Sequence, residues 1–416
     1  MRRSISHSAF GIVGVAVLGV GACVSLSSPK PAGRENIPVV HVPYKPGSVQ
    51  MVRIALETAA KTGTISSTGQ WGMGHGDAQA RRFEAAVEIP LDSLSAAERE
   101  GSFAEAREGS LITWNGKKYR GILRISRTDS GFLVINELPM DSYLRGVVPL
   151  EIGNRTPGEM AAVEAQAVAA RTYAYKHLTA ARAFDMYATV QDQVYGGVDA
   201  EKPQADAAIM NTADVVVLYN GQPITTPYHS TCGGSTAAVS EVWYDQPDEP
   251  YLRPVSDRIP GTDKFYCDAS PRFSWTQSFD AAGLRAVMEK YLATYTNAPK
   301  SNLGRITDIS EQGRTPSGRM RALAVQTTSG TYTLKGNDIR FVLRDPKGAI
   351  LNSTFIDVQE SKANGEVSSL TVSGRGYGHG IGMCQWGAIG RARAGQDFRT
   401  ILETYYPGTT IGRIAG

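Results

Sequence analysis

An α+β fold with mixed sheets around an alanine-rich buried helix is predicted by three features of this 416-residue sequence. Apolar residues alternate at strand period from Met51 onward, one long helix carries strong end signals, and strand patterning returns beyond Asn211. Met51 to Leu56 has the alternation of a strand, and Leu111 to Ile135 alternates well enough for several strands of one sheet. Between them, Gly63 to Ala80 carries glycine and serine with little periodicity. The strongest helix is Ala161 to Leu178. Thr156-Pro157-Gly158-Glu159 before it supplies an N-cap, a proline at the first helical position and a capping-box glutamate. Alanines on every side leave this helix no bulky face, which implies close packing against neighbours all round. A second helix is predicted near Ala281 to Thr294, and Gly304 to Phe355 is rich in strand residues. No repeat at solenoid or propeller period is present.

The chain's first residues carry an address. Arg2 and Arg3 precede an apolar stretch from Phe10 to Ala22, too short to span a bilayer comfortably, so residues 1–22 are expected to be a signal peptide. Val20-Gly21-Ala22-Cys23 has the small residues before a cysteine of a bacterial lipobox, which makes Cys23 the expected lipid attachment point. Residues 23–50, rich in proline, serine and glycine, suit a flexible tether, and residues 51–412 the folded body. The expectation is an exported lipoprotein held at a membrane of the cell envelope. A formal charge of +3, from 43 basic and 40 acidic residues without long single-sign runs, excludes a nucleic-acid footprint.

Four runs carry chemistry. Glu151 follows Val147-Val148-Pro149-Leu150 and precedes Ile152, and a carboxyl among apolar neighbours is desolvated, keeping its proton toward neutral pH. In the alanine-rich helix, Gln166 and Arg171 are expected to be partly buried, so each needs partners, either structural carbonyls and carboxylates or the hydroxyls and N-acetyl groups of a sugar. In Gly374 to Gly387, alternate glycines strip side chains from both sides of His379 and let a ligand approach the backbone, while Gln385 and Trp386 offer an amide and a stacking surface. In Tyr228 to Thr236, His229 and Cys232 stand three apart, a spacing open to metal ligation. For an oxidising compartment the first expectation is a Cys232–Cys267 disulfide, with Cys384 a buried small hydrophobe. No cofactor is expected on that reading, although the odd cysteine keeps zinc open.

Taken together these runs resemble the SpoIID/LytB family of stage II sporulation protein D and amidase-enhancer proteins. Leu138 to Glu151 and Ala165 to Tyr173 carry its two longest motifs. Further landmarks follow in order: Asp192-Gln193-Val194-Tyr195-Gly196-Gly197, Tyr228-His229-Ser230-Thr231, Gly336-Asn337-Asp338-Ile339-Arg340, Gly378-His379-Gly380 and Tyr405-Tyr406-Pro407-Gly408. The resemblance spans residues 50 to 412. It implies lytic transglycosylase action on peptidoglycan glycan strands, with Glu151 as the acid. It also implies a glycan cleft lined by Gln166, Arg171, His229, His379 and Gln385, with His379 best suited to steady the transition state. Some family members bind zinc near the segment matching His229, but their ligand spacing does not recur here. Two rival expectations accompany this one. The first is a non-catalytic glycan-binding enhancer of a cell-wall amidase; the second is an ordinary glycoside hydrolase using Asp192 or Asp257 as a second carboxylate.

Overall fold

The computed structural model describes residues 39–40, 49–76 and 79–414, so the signal-peptide segment, Cys23 and nearly all of the tether lie outside the described residues. Strand Met51–Ala60 forms where expected and joins a seven-stranded sheet, in which it pairs antiparallel with Gly131–Pro139 and parallel with Met186–Tyr187. The stretch from Leu111 to Ile135 does not feed one sheet. Ile122–Thr128 and Gly131–Pro139 join the large sheet, whereas Ile112–Trp114 and Lys117–Tyr119 belong to a separate four-stranded one. Two glycines cause the split. Asn115 (φ 50°) and Gly116 (φ 77°) close a tight hairpin of the kind that needs positive φ at both central residues. At Gly121 (φ 73°) the chain then crosses so close to Glu137 that a Cβ would lie 2.2 Å from its carbonyl oxygen. The segment without clear periodicity, Gly63 to Ala80, holds the short strands Thr64–Ser67 and Trp71–Gly74.

Pro139 ends its strand and hands the chain directly to a helix, Met140–Ile152, whose interior proline at position 149 had masked it in the sequence. Pro149 falls in the last turn, where its missing N–H forgoes one helical hydrogen bond, and Gly153 (φ 72°) stops the helix while donating to the Pro149 carbonyl at 3.1 Å. Glu151 therefore projects from a C-terminal turn. The alanine-rich helix runs Met160–His177, entered through the turn Pro157–Glu159, where the Thr156 N–H donates to the Glu159 carboxylate at 2.7 Å. It is buried on nearly every side, by helices Met140–Ile152, Pro203–Asn211, Gln385–Arg393 and Phe398–Tyr405 and by strand Val215–Tyr219. Alanine is the residue that lets so many neighbours approach one axis.

Two distant motifs then meet edge to edge. Tyr228–His229 pairs in parallel with Met383–Cys384, setting Tyr228 beside Met383 and His229 beside Cys384. The glycines between Gly376 and Gly382 make this possible: a Cβ on Gly382 (φ 70°) would sit 2.1 Å from the Pro227 carbonyl oxygen. The helix Gln385–Arg393 starts at once and is pinned to the alanine-rich helix's entry turn by an Arg393–Glu159 ion pair.

Between these motifs lies a second core. Ser274–Asp280, Glu366–Arg375 and Ile356–Ala363 form one three-stranded sheet; Ile306–Glu311, Ala322–Thr327 and Gly330–Lys335 form another. With helix Ala281–Tyr295 they enclose Leu284, Leu292, Val325 and Leu370. This lobe's strand Glu366–Arg375 runs directly into the glycine-rich loop. No helix of the described residues is long and apolar enough to cross a membrane.

Candidate active site around Glu151

The Glu151 carboxyl is drawn into a ring of donors. Its Oε1 accepts from the Val194 N–H at 3.2 Å, and the side chains of Gln385 and Tyr228 also hydrogen-bond to it. Burial raises its pKa above the ordinary carboxylate value, against the opposing pull of those donors. Its position at the negative end of a helix acts in the same sense as burial. The partners are themselves fixed. Gln385 donates to the Gln166 Oε1 at 3.2 Å, and Gln193 donates to the Tyr228 hydroxyl at 2.9 Å while accepting from Tyr143 at 3.0 Å. Five side chains from five segments thus hold one carboxyl in a preset orientation.

Tyr228 also lines a cleft of about 700 Å³ whose walls include Tyr173, Asp192, Trp243 and His379. Thus one face of Tyr228 meets solvent-accessible space and its hydroxyl meets Glu151. The aromatic wall continues through Trp243, whose ring centroid lies 5.6 Å from that of His379. Trp243 is 37 % exposed, an apolar platform of the sort that sugars stack on.

The other residues predicted from sequence fall into distinct places. Gln166 is fully buried and acts on Gln385, not on the cleft, with its Nε2 left without a partner. Gln385, also buried, touches Glu151 directly. Arg171 is not a cleft residue. It is 1 % exposed and its guanidinium donates to the carbonyls of Thr212, Val215 and Ile209, tying down the end of helix Pro203–Asn211, with Asp141 at 3.4 Å as its counter-charge. His229 is buried beneath the cleft rather than lining it; its Nδ1 bonds the Ile381 carbonyl at 3.1 Å and burial pushes its pKa well down. His379 does line the cleft. Both its nitrogens are committed, however: Nδ1 accepts from the Ile381 N–H at 3.0 Å and Nε2 donates to the Tyr228 carbonyl at 2.9 Å. Burial pushes it down to about 4, so it is a neutral ring that supports the Tyr228 backbone, not a cation or free donor facing substrate. Trp386 faces Arg155, whose guanidinium lies 5.3 Å from its ring, and it is Trp243 that lines the cleft.

The expected disulfide is not formed. Cys232 and Cys267 Sγ atoms stand 3.5 Å apart, a contact and not a bond, and Cys384 joins them as a third free, buried thiol. Cys384 is thus no bystander, and His229 belongs to no group of three or more metal-ligating side chains among the described residues.

The sequence missed Tyr228, Gln193 and Trp243 as site residues. Tyr228 and Gln193 lie inside motifs whose titratable neighbours drew attention instead, and a lone tryptophan in an aperiodic loop gives no signal at all.

Comparison with known proteins gives the family of the chain. Residues 128–219, which hold Glu151, Gln166 and Gln193, match the model of the SpoIID stage II sporulation protein family, and residues 259–382, around the second core, match a domain family of unknown function. An amidase enhancer of Bacillus subtilis is 35% identical over 295 residues, covering 64% of this chain but 40% of that protein. Stage II sporulation protein D of Bacillus subtilis is 31% identical over 294 residues, covering 67% of this chain and 75% of that protein. An uncharacterized protein of Brachyspira hyodysenteriae is 32% identical over 316 residues, 75% of this chain and 77% of that one. The chain belongs to the SpoIID/LytB family.

Proposed function

We propose that this protein is a peptidoglycan lytic transglycosylase that cleaves glycan strands with Glu151 as its one proton-transfer group. The observation that carries the proposal is a half-buried carboxyl with raised pKa, oriented by Tyr228, Gln385 and the Val194 N–H, behind an aromatic-walled cleft. Protonated Glu151 gives its proton to the glycosidic oxygen as the bond to the N-acetylmuramic acid anomeric carbon breaks. The resulting carboxylate takes the proton of that sugar's C6 hydroxyl as its oxygen closes on the same carbon, leaving a 1,6-anhydro end. The proton count returns to its start and no water is consumed.

The hydrolase alternative needs a second carboxylate, and of the two candidates only Asp192 lines the cleft, with both its oxygens already accepting hydrogen bonds. Asp257 is fully buried. Asp192 accepts from the Tyr173 hydroxyl with one oxygen and the Tyr187 N–H with the other, both at 2.8 Å. Mass spectrometry of products from glycan strands stripped of stem peptides tests this: transglycosylation gives products lighter by one water than hydrolysis does. Hydrolytic products would overturn the proposal. No release of fragments, with strand binding retained, would favour an amidase-enhancing module, in keeping with the name of the Bacillus subtilis relative.

We also propose that the protein is exported and membrane-anchored through Cys23. Cys23→Ala is expected to give an unprocessed or soluble exported form; continued fatty-acid labelling of that variant would contradict the anchor.

A further inference from the structure

We infer that Cys232, Cys267, Cys384 and Asp257 form a closed four-ligand site for a thiolate-preferring divalent cation of the zinc class. Their ligand atoms all lie within 4.8 Å of one another and all four residues are buried. They come from three separate parts of the chain. Cys232 follows Tyr228–His229, Cys384 ends the strand paired with it, and the Asp257 and Cys267 pair is folded back by a hydrogen bond from the Tyr266 N–H to the Asp257 carbonyl at 2.8 Å. Three sulfurs and one carboxylate oxygen fall within the ligand set that zinc takes in tetrahedral structural sites, and sulfur excludes magnesium and calcium as the intended occupant.

The surroundings are those of metal-bound thiolates. Cys384 Sγ accepts from the N–H groups of Cys232 at 3.1 Å and Gly387 at 3.3 Å, and Cys232 Sγ accepts from the Gly234 N–H at 3.4 Å. Asp257 is oriented from outside: its Oδ1 accepts from the Tyr405 hydroxyl at 2.7 Å and from Arg391 at 3.1 Å, which turns Oδ2 toward Cys232 Sγ at 3.6 Å. One oxygen held and the other presented is how outer partners fix a ligating carboxylate. Gly387 has no room for a side chain here, since a Cβ would lie 2.4 Å from Asp257 Oδ2 and 2.0 Å from the Tyr405 hydroxyl. A Cys232–Cys267 disulfide would use two of these groups and leave a thiol and a carboxylate packed against it in the core. A four-ligand cation uses all four. Binding would displace the thiol protons to solvent and clamp together the loops that carry Tyr228 and Gln385.

The test uses the full chain purified without chelator or added reductant. One zinc per chain is expected by elemental analysis. Mapping by alkylation should find Cys232, Cys267 and Cys384 unreactive in the native protein and all three reactive after unfolding with chelator. Cobalt reconstitution should give the sulfur-to-metal charge-transfer and visible bands of a tetrahedral thiolate site. Tyr405→Phe keeps the packing but frees Asp257 Oδ1, and should weaken zinc affinity by about 10- to 100-fold. Protein that carries a Cys232–Cys267 disulfide with Cys384 alone free overturns the inference. So do three free thiols that ignore supplied zinc, or Tyr405→Phe with unaltered zinc affinity.

Discussion

Glu151 is costly to ionise where it sits, and that has a measurable sign. Its pKa is raised in the folded protein, so the native state holds its proton over a range where the unfolded chain has lost it. The stability that this preference contributes is full below the ordinary carboxylate range and is lost as pH rises through the raised value. Glu151→Gln has no proton to lose. It should therefore melt close to wild type in mild acid and become the relatively more stable protein as pH rises, measured as the difference in Tm across a pH series; a constant difference would mean that Glu151 is not desolvated. In the rate profile, activity should fall as pH rises through the same group. His379, pushed down to about 4, should add no limb of its own near neutral pH. Much at this scale was legible beforehand. The apolar neighbours of Glu151 are consecutive in sequence, so its desolvation can be read locally. Which polar groups face the carboxyl cannot, because Tyr228, Gln385 and Val194 converge only through tertiary pairing.

At the scale of elements, the alanine-rich helix and its capping turn stood plainly in the sequence because the signals are local: Thr156, Pro157 and Glu159 each act within one turn. Helix Met140–Ile152 was hidden, since a proline removes a backbone donor and fits a helical pattern only in the first turn, whereas Pro149 lies in the last. Arg171 shows the limit of motif reading. Its place in a conspicuous run suggested ligand contact, yet the guanidinium serves the carbonyls of Ile209, Thr212 and Val215. Arg171→Met should strand those acceptors at a cost of about 1–3 kcal/mol for each one left unpaired. The expected result is a large fall in denaturant midpoint with unchanged glycan affinity in the folded fraction. Lost affinity with wild-type stability would return Arg171 to the cleft.

Across the whole molecule, the second core was the least legible part. Its strands were visible as a strand-rich stretch, but nothing in their order told that they enclose a core of their own rather than extend the main sheet. Its bearing on the site is mechanical. Glu366–Arg375 enters the glycine loop directly, and buried Arg319 reaches from the lobe to the carbonyls of Cys232 at 2.9 Å and Ser235 at 3.0 Å. Leu370→Ala in that core should cost about 2–5 kcal/mol, and hydrogen exchange from Gly376 to Cys384 should quicken with it; unchanged loop exchange would show the lobe to be a passive insertion. The proposed function rests on one claim, that a proton from Glu151 breaks the glycan strand. The most direct measurement is the cleavage rate of denuded strands by wild type and Glu151→Gln at matched saturation, with strand binding measured on the same samples. The expected loss is about 100-fold to 10,000-fold in rate with binding retained; cleavage by the Gln variant at near wild-type rate would contradict it.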